Sequence, residues 1–278
     1  MRDAHSHCEA LVRRADRDRF IASLFAPAAA RRHLFALYAF NIEVARTREV
    51  VRDPMAGAIR LQWWHDALAG AGREAAGHPV ASALFETIAR HHLPAQPLIE
   101  LVEARRCDFD DEPMATWSDL ESYARRTAGN LFASAARILA PDEPDVAEAA
   151  RAAGIAYALT RLLAVFELHA ARRQSYLPRE LLQHHGVERH AVFAGQRSPP
   201  LARALAEARG RARAHYADFF GCAGSLPQAV VPVFLPLALV PGLLARLDRH
   251  AGPSVVEMSP WRRQWMLVRA ARRGFPPP

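Results

Sequence analysis

Acidic side chains that could hold a cation cluster in one short run: Asp108, Asp110, Asp111 and Glu112. Carboxylate oxygens are the ligands that Ca²⁺ and Mg²⁺ prefer in proteins. The run has no glycine where an EF-hand loop makes its sharp turn, and Pro113 follows it directly. We therefore predict an exposed acidic turn between two helices.

Two pairs of adjacent histidines, His91–His92 and His184–His185, could bind a transition metal through imidazole nitrogens. Adjacent residues on a helix point in different directions, which favours surface histidines over the alternative of a metal site. We predict surface histidines at both pairs. The chain also has no G-x-G-x-x-G fingerprint, no Walker loop and no G-x-S-x-G elbow.

Residues 159–178 read LTRLLAVFELHAARRQSYLP and resemble the second half of a squalene/phytoene synthase. The family pattern there is roughly L-T-N-I-L-R-D-x-x-x-D, then a short basic spacer, then R-x-Y-L-P. Counting back from Tyr176, the two aspartates fall at Val165 and His169. The asparagine falls at Arg161. The resemblance retains the helix and its Y-L-P exit but loses the carboxylates.

The first half of the chain carries a second resemblance of the same kind. Residues 37–40, which include Tyr38, match the family's L-Y-A-F, which normally leads into another D-x-x-x-D motif. The two aspartate positions fall at Ala45 and Glu49. Arg46 replaces a neighbouring acid. Only one of the four motif positions in the chain therefore keeps a carboxylate.

Two further segments agree with the family in order and spacing. The run RLQWW, with Arg60 and Trp63, resembles the family's R-L-x-x-W. Tyr123 followed by AG at residues 128–129 resembles its Y-x(4)-A-G, although the glycine expected three residues later is Phe132. The resemblance extends from about residue 19 to residue 186. It implies an all-α, isoprenoid-synthase-like bundle of helices around a central cavity.

The altered motif positions bear directly on the family's chemistry. Two D-x-x-x-D pairs place carboxylates on one face of each of two helices, where they hold the Mg²⁺ that neutralises a leaving pyrophosphate. Ala45 and Val165 cannot ligate a metal, and a neutral His169 suits Mg²⁺ poorly. We therefore predict no catalytic residue, no metal site and no cofactor. Mg²⁺ enters only under the alternative of an active enzyme.

Arginine at the altered positions changes what the cavity could bind. A guanidinium matches phosphate oxygens without a metal, so Arg46 and Arg161 could bind an anionic headgroup directly. The alternative is that both pair with Glu43, Glu49 or Glu167 and close the pocket. The residues that we place at the candidate pocket are Tyr38, Arg46, Arg60, Trp63, Tyr123, Arg161 and Tyr176.

Within the family, the chain most resembles a degenerate branch, that of the mitochondrial complex I assembly factor with a squalene/phytoene synthase fold. The resemblance rests on residues 39–45, 60–64 and 172–187. It implies a pseudoenzyme that assists assembly of the NADH–quinone oxidoreductase and binds its subunits or assembly intermediates. An anionic lipid, a prenyl diphosphate or a quinone are the candidate small ligands, and nucleic acid is not expected. The alternative is an active prenyltransferase that joins two prenyl diphosphates head to head.

The sequence predicts helices over nearly the whole chain, and these helices must position the residues named above. The chain is 51% hydrophobic and 23% charged, which suits a globular core. Its net charge is +7, and every basic side chain apart from histidine is arginine. Ser118 and Glu121 have the spacing of a capping box. No Gly/Ser-rich linker divides the chain, so we predict one domain over residues 1–278.

Two features concern the membrane. Residues 225–245 carry no charge but contain four prolines, so we predict a buried core segment, with peripheral membrane contact and a membrane span as the alternatives. Trp261 and Trp265 share one helical face, which either packs on the bundle or docks a partner or lipid headgroup.

No secretory signal is evident, and three widely spaced cysteines suggest a reducing compartment. We expect a cytoplasmic protein, peripheral at the inner face of the membrane.

Overall fold

The structure, a computed structural model, describes residues 3–51, 53–70, 77–110, 114–141, 146–249 and 255–278. Within these ranges the chain forms helices connected by short turns, and no strand is found. The predicted all-α class is confirmed. Asp111 and Glu112 of the acidic run lie outside the described residues.

The α-helices of the described ranges follow one another along the whole chain. They are α1 Ala4–Ala15, α2 Arg17–Ser23, α3 Ala28–Ala45, α4 Thr47–Val50, α5 Pro54–Ala69, α6 Pro79–His91, α7 Gln96–Ala104, α8 Trp117–Ala124, α9 Asn130–Leu139, α10 Ala147–Ala164, α11 Phe166–Ala171, α12 Arg179–His184, α13 Arg189–Phe193, α14 Pro199–Ala223, α15 Val231–Phe234, α16 Val240–Arg249 and α17 Pro260–Arg273. Arg105–Phe109 and Leu235–Leu239 form 3₁₀ turns, and Arg125–Gly129 forms a π-helical turn.

Helix α10 lies at the centre of the bundle. It packs against α14, α9, α8, α16 and the π-helical turn. Most of its buried residues are alanines, which let these neighbours approach closely, and the larger side chains of the core come from the surrounding helices. Two of those larger side chains, Phe132 on α9 and Phe234 on α15, stack with their ring centroids 5.5 Å apart. The cavity described below opens along one side of α10.

A glycine pair sets the distance between α10 and the π-helical turn. A methyl group placed on Gly154 would lie 2.4 Å from the Cα of Gly129, which is far inside van der Waals contact. No side chain fits between these two backbones, so glycine is required at residue 154 by close approach. The A-G segment at residues 128–129 therefore serves helix packing next to the cavity.

One helix start differs from the sequence prediction. The capping box forms between Thr116 and Asp119, two residues before the predicted pair of Ser118 and Glu121. Thr116 Oγ1 accepts from the backbone N–H of Asp119, and the Asp119 carboxylate accepts from the backbone N–H of Thr116. Both pairs have the same spacing, and Glu121 instead pairs with Arg211 and His215 on α14.

The uncharged segment 225–245 packs into the core. It forms α15, the turn Leu235–Leu239 and the start of α16, where Phe234, Leu235, Leu237 and Ala238 are fully buried. Val231–Arg249 is the stretch of the described residues long and apolar enough to cross a bilayer, with a mean hydropathy of 1.6. Most of that stretch, 61% of its most apolar window, is buried inside the protein. Its burial supports the predicted core segment.

Candidate functional site

A cavity of about 180 Å³ lies between α10 and the helices that face it. Tyr157, Arg161 and Val165 line it at intervals of four residues, as expected for one face of a helix. Ala158 and Leu162 of α10 also line it, and its other side chains come from six further segments: Arg19, Asn41, Arg105, Tyr123, Thr127, Ala128 and Leu131. Of the predicted pocket residues, Tyr123 and Arg161 line this cavity.

The space around the cavity is divided. One small space of about 20 Å³ shares Leu162 with the cavity, and another of about 20 Å³ shares Tyr157 and Arg161. Pockets that hold small-molecule ligands usually measure about 300–1,000 Å³. The cavity therefore has room for a headgroup, and a long apolar tail would need the side chains between these spaces to move.

Arginine dominates the polar surface of the cavity. Arg19 is buried, donates to Asp16 Oδ2 at 2.7 Å, and has its guanidinium 4.8 Å from the ring centre of Tyr157. Arg105 donates to the hydroxyl of Tyr123 at 2.6 Å. Arg161 is exposed and forms no ion pair within the described part of the chain. The cavity thus offers one arginine whose charge is not already paired.

A buried carboxylate organises the side chains next to the cavity. Asp108 Oδ1 accepts from the hydroxyls of Tyr123 and Tyr176, each at 2.9 Å. Its Oδ2 atom lies 3.4 Å from Arg105 Nη1. Gln174 Nε2 donates to its backbone carbonyl at 3.2 Å. Asp108 therefore joins the 3₁₀ turn, α8 and the segment after α11 into one network.

The prediction of an exposed acidic turn was wrong for Asp108, which is 6% exposed, whereas Asp110 is exposed. The reason is local geometry. The chain after α7 tightens into the 3₁₀ turn Arg105–Phe109, where residues three apart eclipse one another, so Asp108 points inward beside Arg105. The i, i+3 pair of opposite charges was the signal in the sequence that could have indicated this.

Burial shifts the acid–base behaviour of this network. Burial raises the pKa of Asp108, even though Arg105 and the two tyrosine hydroxyls favour its ionised form. Burial, helped by the charges of Arg172 and Arg105, lowers the pKa of His169 to about 4. The His169 ring lies beside Tyr176, with centroids 4.9 Å apart. His169 is therefore neutral at physiological pH.

Both motif segments sit at a break between two helices. α3 ends at Ala45 and α4 begins at Thr47, with Arg46 between them. α10 ends at Ala164 and α11 begins at Phe166, with Val165 between them. Helical spacing survives in the second segment, because His169 N–H donates to the Val165 carbonyl at 3.0 Å.

The motif carboxylate that remains is held by arginines. Glu49 Oε2 accepts from Arg46 Nε at 3.3 Å, and its Oε1 atom lies 3.9 Å from Arg172 NH1. All three side chains are about half exposed, so each pairing is weak. The contact nevertheless brings the first motif segment next to the end of the second. Arg46 is thus paired as the closed-pocket alternative expects, while Arg161 is not.

Comparison with known proteins identifies the architecture. The sequence profile described as squalene/phytoene synthase matches residues 12–269. The chain belongs to the squalene/phytoene synthase family. The structure is similar to that of a dehydrosqualene synthase crystallised with a ligand, with a TM-score of 0.81 and 18% identity over 95% of this chain and 94% of the other. The isoprenoid-synthase fold predicted from the sequence is confirmed.

Two kinds of relative are found within the squalene/phytoene synthase family. The rat protein named NADH dehydrogenase (ubiquinone) complex I, assembly factor 6, is 26% identical over 89% of this chain and 74% of its own length. The phytoene synthase of Thermus thermophilus is 28% identical over 93% of this chain and 89% of its own length. The predicted resemblance to both branches is confirmed.

The metal that the family's D-x-x-x-D motifs hold does not fit the residues of this chain. Ala45 and Val165 carry no ligand atom, and His169 offers a neutral nitrogen where Mg²⁺ prefers oxygen. Glu49 is paired with arginines, whose positive charge opposes a cation. We therefore derive no step through Mg²⁺ at this site.

A large ring replaces a glycine of the family pattern. Phe132, at that position, is 2% exposed and lies between Phe234 and Tyr157, whose ring centres are 5.5 and 5.8 Å away. The guanidinium of Arg19 is 5.7 Å from its ring centre. A phenyl group fills volume that glycine leaves open, and Phe132 belongs to the packed core and not to the cavity wall.

Five of the seven predicted pocket residues lie off the cavity wall: Tyr38, Arg46, Arg60, Trp63 and Tyr176. Tyr38 is buried in the core with the Arg19 guanidinium 5.5 Å from its ring centre. Arg60 donates to Glu43 at 3.0 Å, and the Trp63 ring packs on His78 at 5.1 Å. Burial opposes ionisation of Glu43, but His78 and Arg60 hold its pKa below the usual value. Tyr176 reaches the site through Asp108.

A separate group of possible metal ligands lies at the surface. His184, His185 and Glu207 have ligand atoms within 4.8 Å of one another, which no other trio of such residues in the described ranges achieves. His185 Nε2 lies 2.8 Å from Glu207 Oε2. His184 and Glu207 are exposed, and His185 is partly buried. The predicted surface position is therefore confirmed for His184. This group contributes nothing to the cavity.

Proposed function

We propose that this protein is a non-catalytic squalene/phytoene synthase family member that acts as an assembly or accessory factor for respiratory complex I, the NADH–quinone oxidoreductase. The observation that carries the proposal is the state of the motif positions. Three of the four carry no carboxylate, and the fourth, Glu49, is paired with Arg46 and Arg172. The similarity to proteins named as complex I assembly factors supports the second half of the proposal.

The physical argument concerns the leaving group. Ionisation of a prenyl diphosphate releases pyrophosphate, whose charge must be neutralised as the C–O bond breaks, and metal ions supply several kcal/mol of that stabilisation. Each loss of about 1.4 kcal/mol slows a reaction tenfold. Arg161 could bind the anion, but Arg19 is already paired with Asp16, and one guanidinium supplies less positive charge to the leaving group than the metal ions do. We therefore expect the protein to bind a prenyl diphosphate without ionising it.

The proposed partners are subunits or assembly intermediates of complex I, and the proposed place is the cytoplasmic face of the membrane that holds it. The names of the relatives support an association with that complex. For the cavity we propose a ligand with a small anionic or polar headgroup, bound without Mg²⁺ beside Arg161. A prenyl diphosphate, an anionic lipid and a quinone remain the candidates.

A second function is supported by a different observation. Phytoene synthases of Synechococcus elongatus and Thermus thermophilus are similar to the chain, and Arg19, Arg105 and Arg161 line the cavity. A guanidinium cluster suits a diphosphate. Under this alternative the chain is a prenyltransferase that joins two prenyl diphosphates and uses Glu49 and bound Mg²⁺.

Deletion of the gene separates the two functions. The proposal predicts loss of assembled complex I on native gels and of NADH–quinone reductase activity in membranes, with succinate–quinone reductase activity unchanged as the control. Squalene, phytoene and their products should stay at the level of the parent strain. A normal complex I together with loss of one of these isoprenoids would contradict the proposal.

Complementation then tests the site itself. The Glu49→Ala variant should restore complex I as well as the unaltered gene does, because its carboxylate makes only weak surface pairs. Failure of this variant, in spite of normal protein levels, would show that the assembly function needs the Glu49 carboxylate and would contradict the view that this motif position has lost its role.

A further inference from the structure

The outer face of α17 presents two tryptophans to solvent. Trp261 is 82% exposed and Trp265 is 64% exposed, whereas large aromatic residues are usually well buried. They lie four residues apart, so their rings share one side of the helix. The prediction left open whether this face packs on the bundle or docks something, and in the structure most of the surface of both side chains is exposed.

Arginines continue the same stripe. Arg269 and Arg272 follow Trp265 at the next two turns, and both are exposed. The guanidinium of Arg269 lies 5.9 Å from the ring centre of Trp265. Residues 261, 265, 269 and 272 cover about 16 Å of one helical side at 1.5 Å per residue. Arg262 and Arg273 flank this stripe on the neighbouring side and are also exposed.

The opposite side of α17 anchors the helix to the protein. Leu267 and Ala270 are buried against Ala22 of α2 and the segment around Leu235. Arg263 Nε donates to Asp18 Oδ1 at 2.9 Å, and its NH2 group also contacts the Asp18 carboxylate. The tryptophan stripe is therefore held rigidly on a packed helix.

Charge and shape select the partner of this surface. Helix α17 carries four exposed arginines, Arg262, Arg269, Arg272 and Arg273, and no acidic residue, so its outer surface favours an anionic partner. The stripe is the convex side of a helix, which a deformable surface can cover without a matching groove. Tryptophan concentrates at the boundary between lipid headgroups and acyl chains, and arginines beside it attract anionic lipids.

The geometry points to an anionic lipid bilayer as the partner of α17, with Trp261 and Trp265 inserted at the headgroup level and Arg262, Arg269 and Arg272 on the surrounding phosphates. In this arrangement the axis of α17 is parallel to the membrane surface, and the rest of the protein lies on the side of α17 that faces away from the membrane. This surface is distinct from the cavity and does not depend on the proposed function.

Vesicle flotation tests the inference. The full-length protein should float with phosphatidylglycerol-containing vesicles and stay behind with vesicles of pure phosphatidylcholine, and high salt should release it. Loss of Arg262, Arg269 and Arg272 to glutamine should weaken binding roughly a hundredfold. Trp261→Ala with Trp265→Ala should weaken it roughly tenfold. Because these side chains are exposed, the melting temperature should not change.

Two control variants give the result its meaning. Met55 and Ile59 on α5 are 72% and 65% exposed with the same spacing, so Met55→Ala with Ile59→Ala removes a similar apolar pair elsewhere. Glutamine at Arg14, Arg90 and Arg137 removes three exposed charges from other helices. Both controls should bind vesicles like the unaltered protein. Equal losses in the controls would overturn the inference. Absence of binding to anionic vesicles would also overturn it and leave an acidic protein surface as the partner.

Discussion

Glu49 Oε1 lies 3.9 Å from Arg172 NH1, so the end of the first motif segment meets the residues that follow the second. In the family, D-x-x-x-D motifs on these two segments carry the carboxylates that hold Mg²⁺. Here a single carboxylate converges with guanidinium groups. The two segments still lie next to each other, but arginine side chains now meet the remaining carboxylate there.

The glycine contact between α10 and the π-helical turn gives a prediction about stability. Gly154→Ala should lower the free energy of unfolding by about 3 kcal/mol, because the added methyl group meets the Gly129 backbone and neither helix can give way cheaply. Gly210→Ala on α14 is the matched control, since nothing lies within 4 Å of its added methyl group. That variant should be stabilised by about 0.5–1 kcal/mol. Chemical denaturation measures both, and equal shifts would contradict the account of this contact.

The buried network predicts that Asp108 is needed for the fold. Asp108→Asn should lower the free energy of unfolding by about 3 kcal/mol, because it leaves the Arg105 charge without its carboxylate. Tyr176→Phe, which removes one hydrogen bond to Asp108, should cost about 1 kcal/mol. Asp110→Asn, two residues away and exposed, should change stability by less than about 0.5 kcal/mol. A smaller effect at Asp108 than at Asp110 would refute the network.

The lowered pKa of His169 predicts a dependence of stability on pH. The folded pKa is about 4, below the value of about 6.5 in an unfolded chain, so only the unfolded chain takes up a proton between these values. Stability is therefore unaffected above pH 6.5 and is lost as pH falls towards 4. At pH 5 this residue should cost about 2 kcal/mol relative to pH 7.5.

His169→Asn should lose less stability than the unaltered protein between these two pH values, by about that amount. His7→Asn, at an exposed histidine of α1, serves as the control for the comparison. The urea midpoint at each pH supplies the measurement. Identical pH profiles for His169→Asn and the unaltered protein would show that His169 titrates normally.

The cavity predicts anion binding that needs no metal. Calorimetric titration with a prenyl diphosphate should give the same affinity with and without Mg²⁺, and Arg161→Ala should abolish it, because this arginine lines the cavity and is free of ion pairs within the described ranges. Arg46→Ala is the control, since Arg46 is exposed and paired with Glu49. Binding that appears only with Mg²⁺ would contradict this account. No binding by a prenyl diphosphate, an anionic lipid or a quinone would favour the closed pocket.

Much of the fold followed from local sequence signals. The order of the family segments and the buried segment 225–245 were visible as patterns in the chain, and the predicted capping box of α8 was displaced by two residues. The motif positions were also readable, because their spacing from the Y-L-P exit does not depend on tertiary contacts. These features are local or are counted along one helix.

The network around Asp108 could not be predicted from such local patterns. Asp108 meets Tyr123 and Tyr176, which follow it by 15 and 68 residues, and no local pattern marks contacts at such separations. Its acidic neighbours predicted an exposed turn, whereas one 3₁₀ turn rotates it into the protein. The pairing of Arg60 with Glu43 likewise depends on how α3 and α5 pack.

Release of pyrophosphate by the purified protein tests the central claim most directly. With farnesyl or geranylgeranyl diphosphate and Mg²⁺, we predict no release above the background without protein, because three of the four metal carboxylates are absent and Glu49 is paired with arginines. Turnover to squalene or phytoene that disappears in the Glu49→Ala variant would contradict the claim and establish the protein as a working synthase.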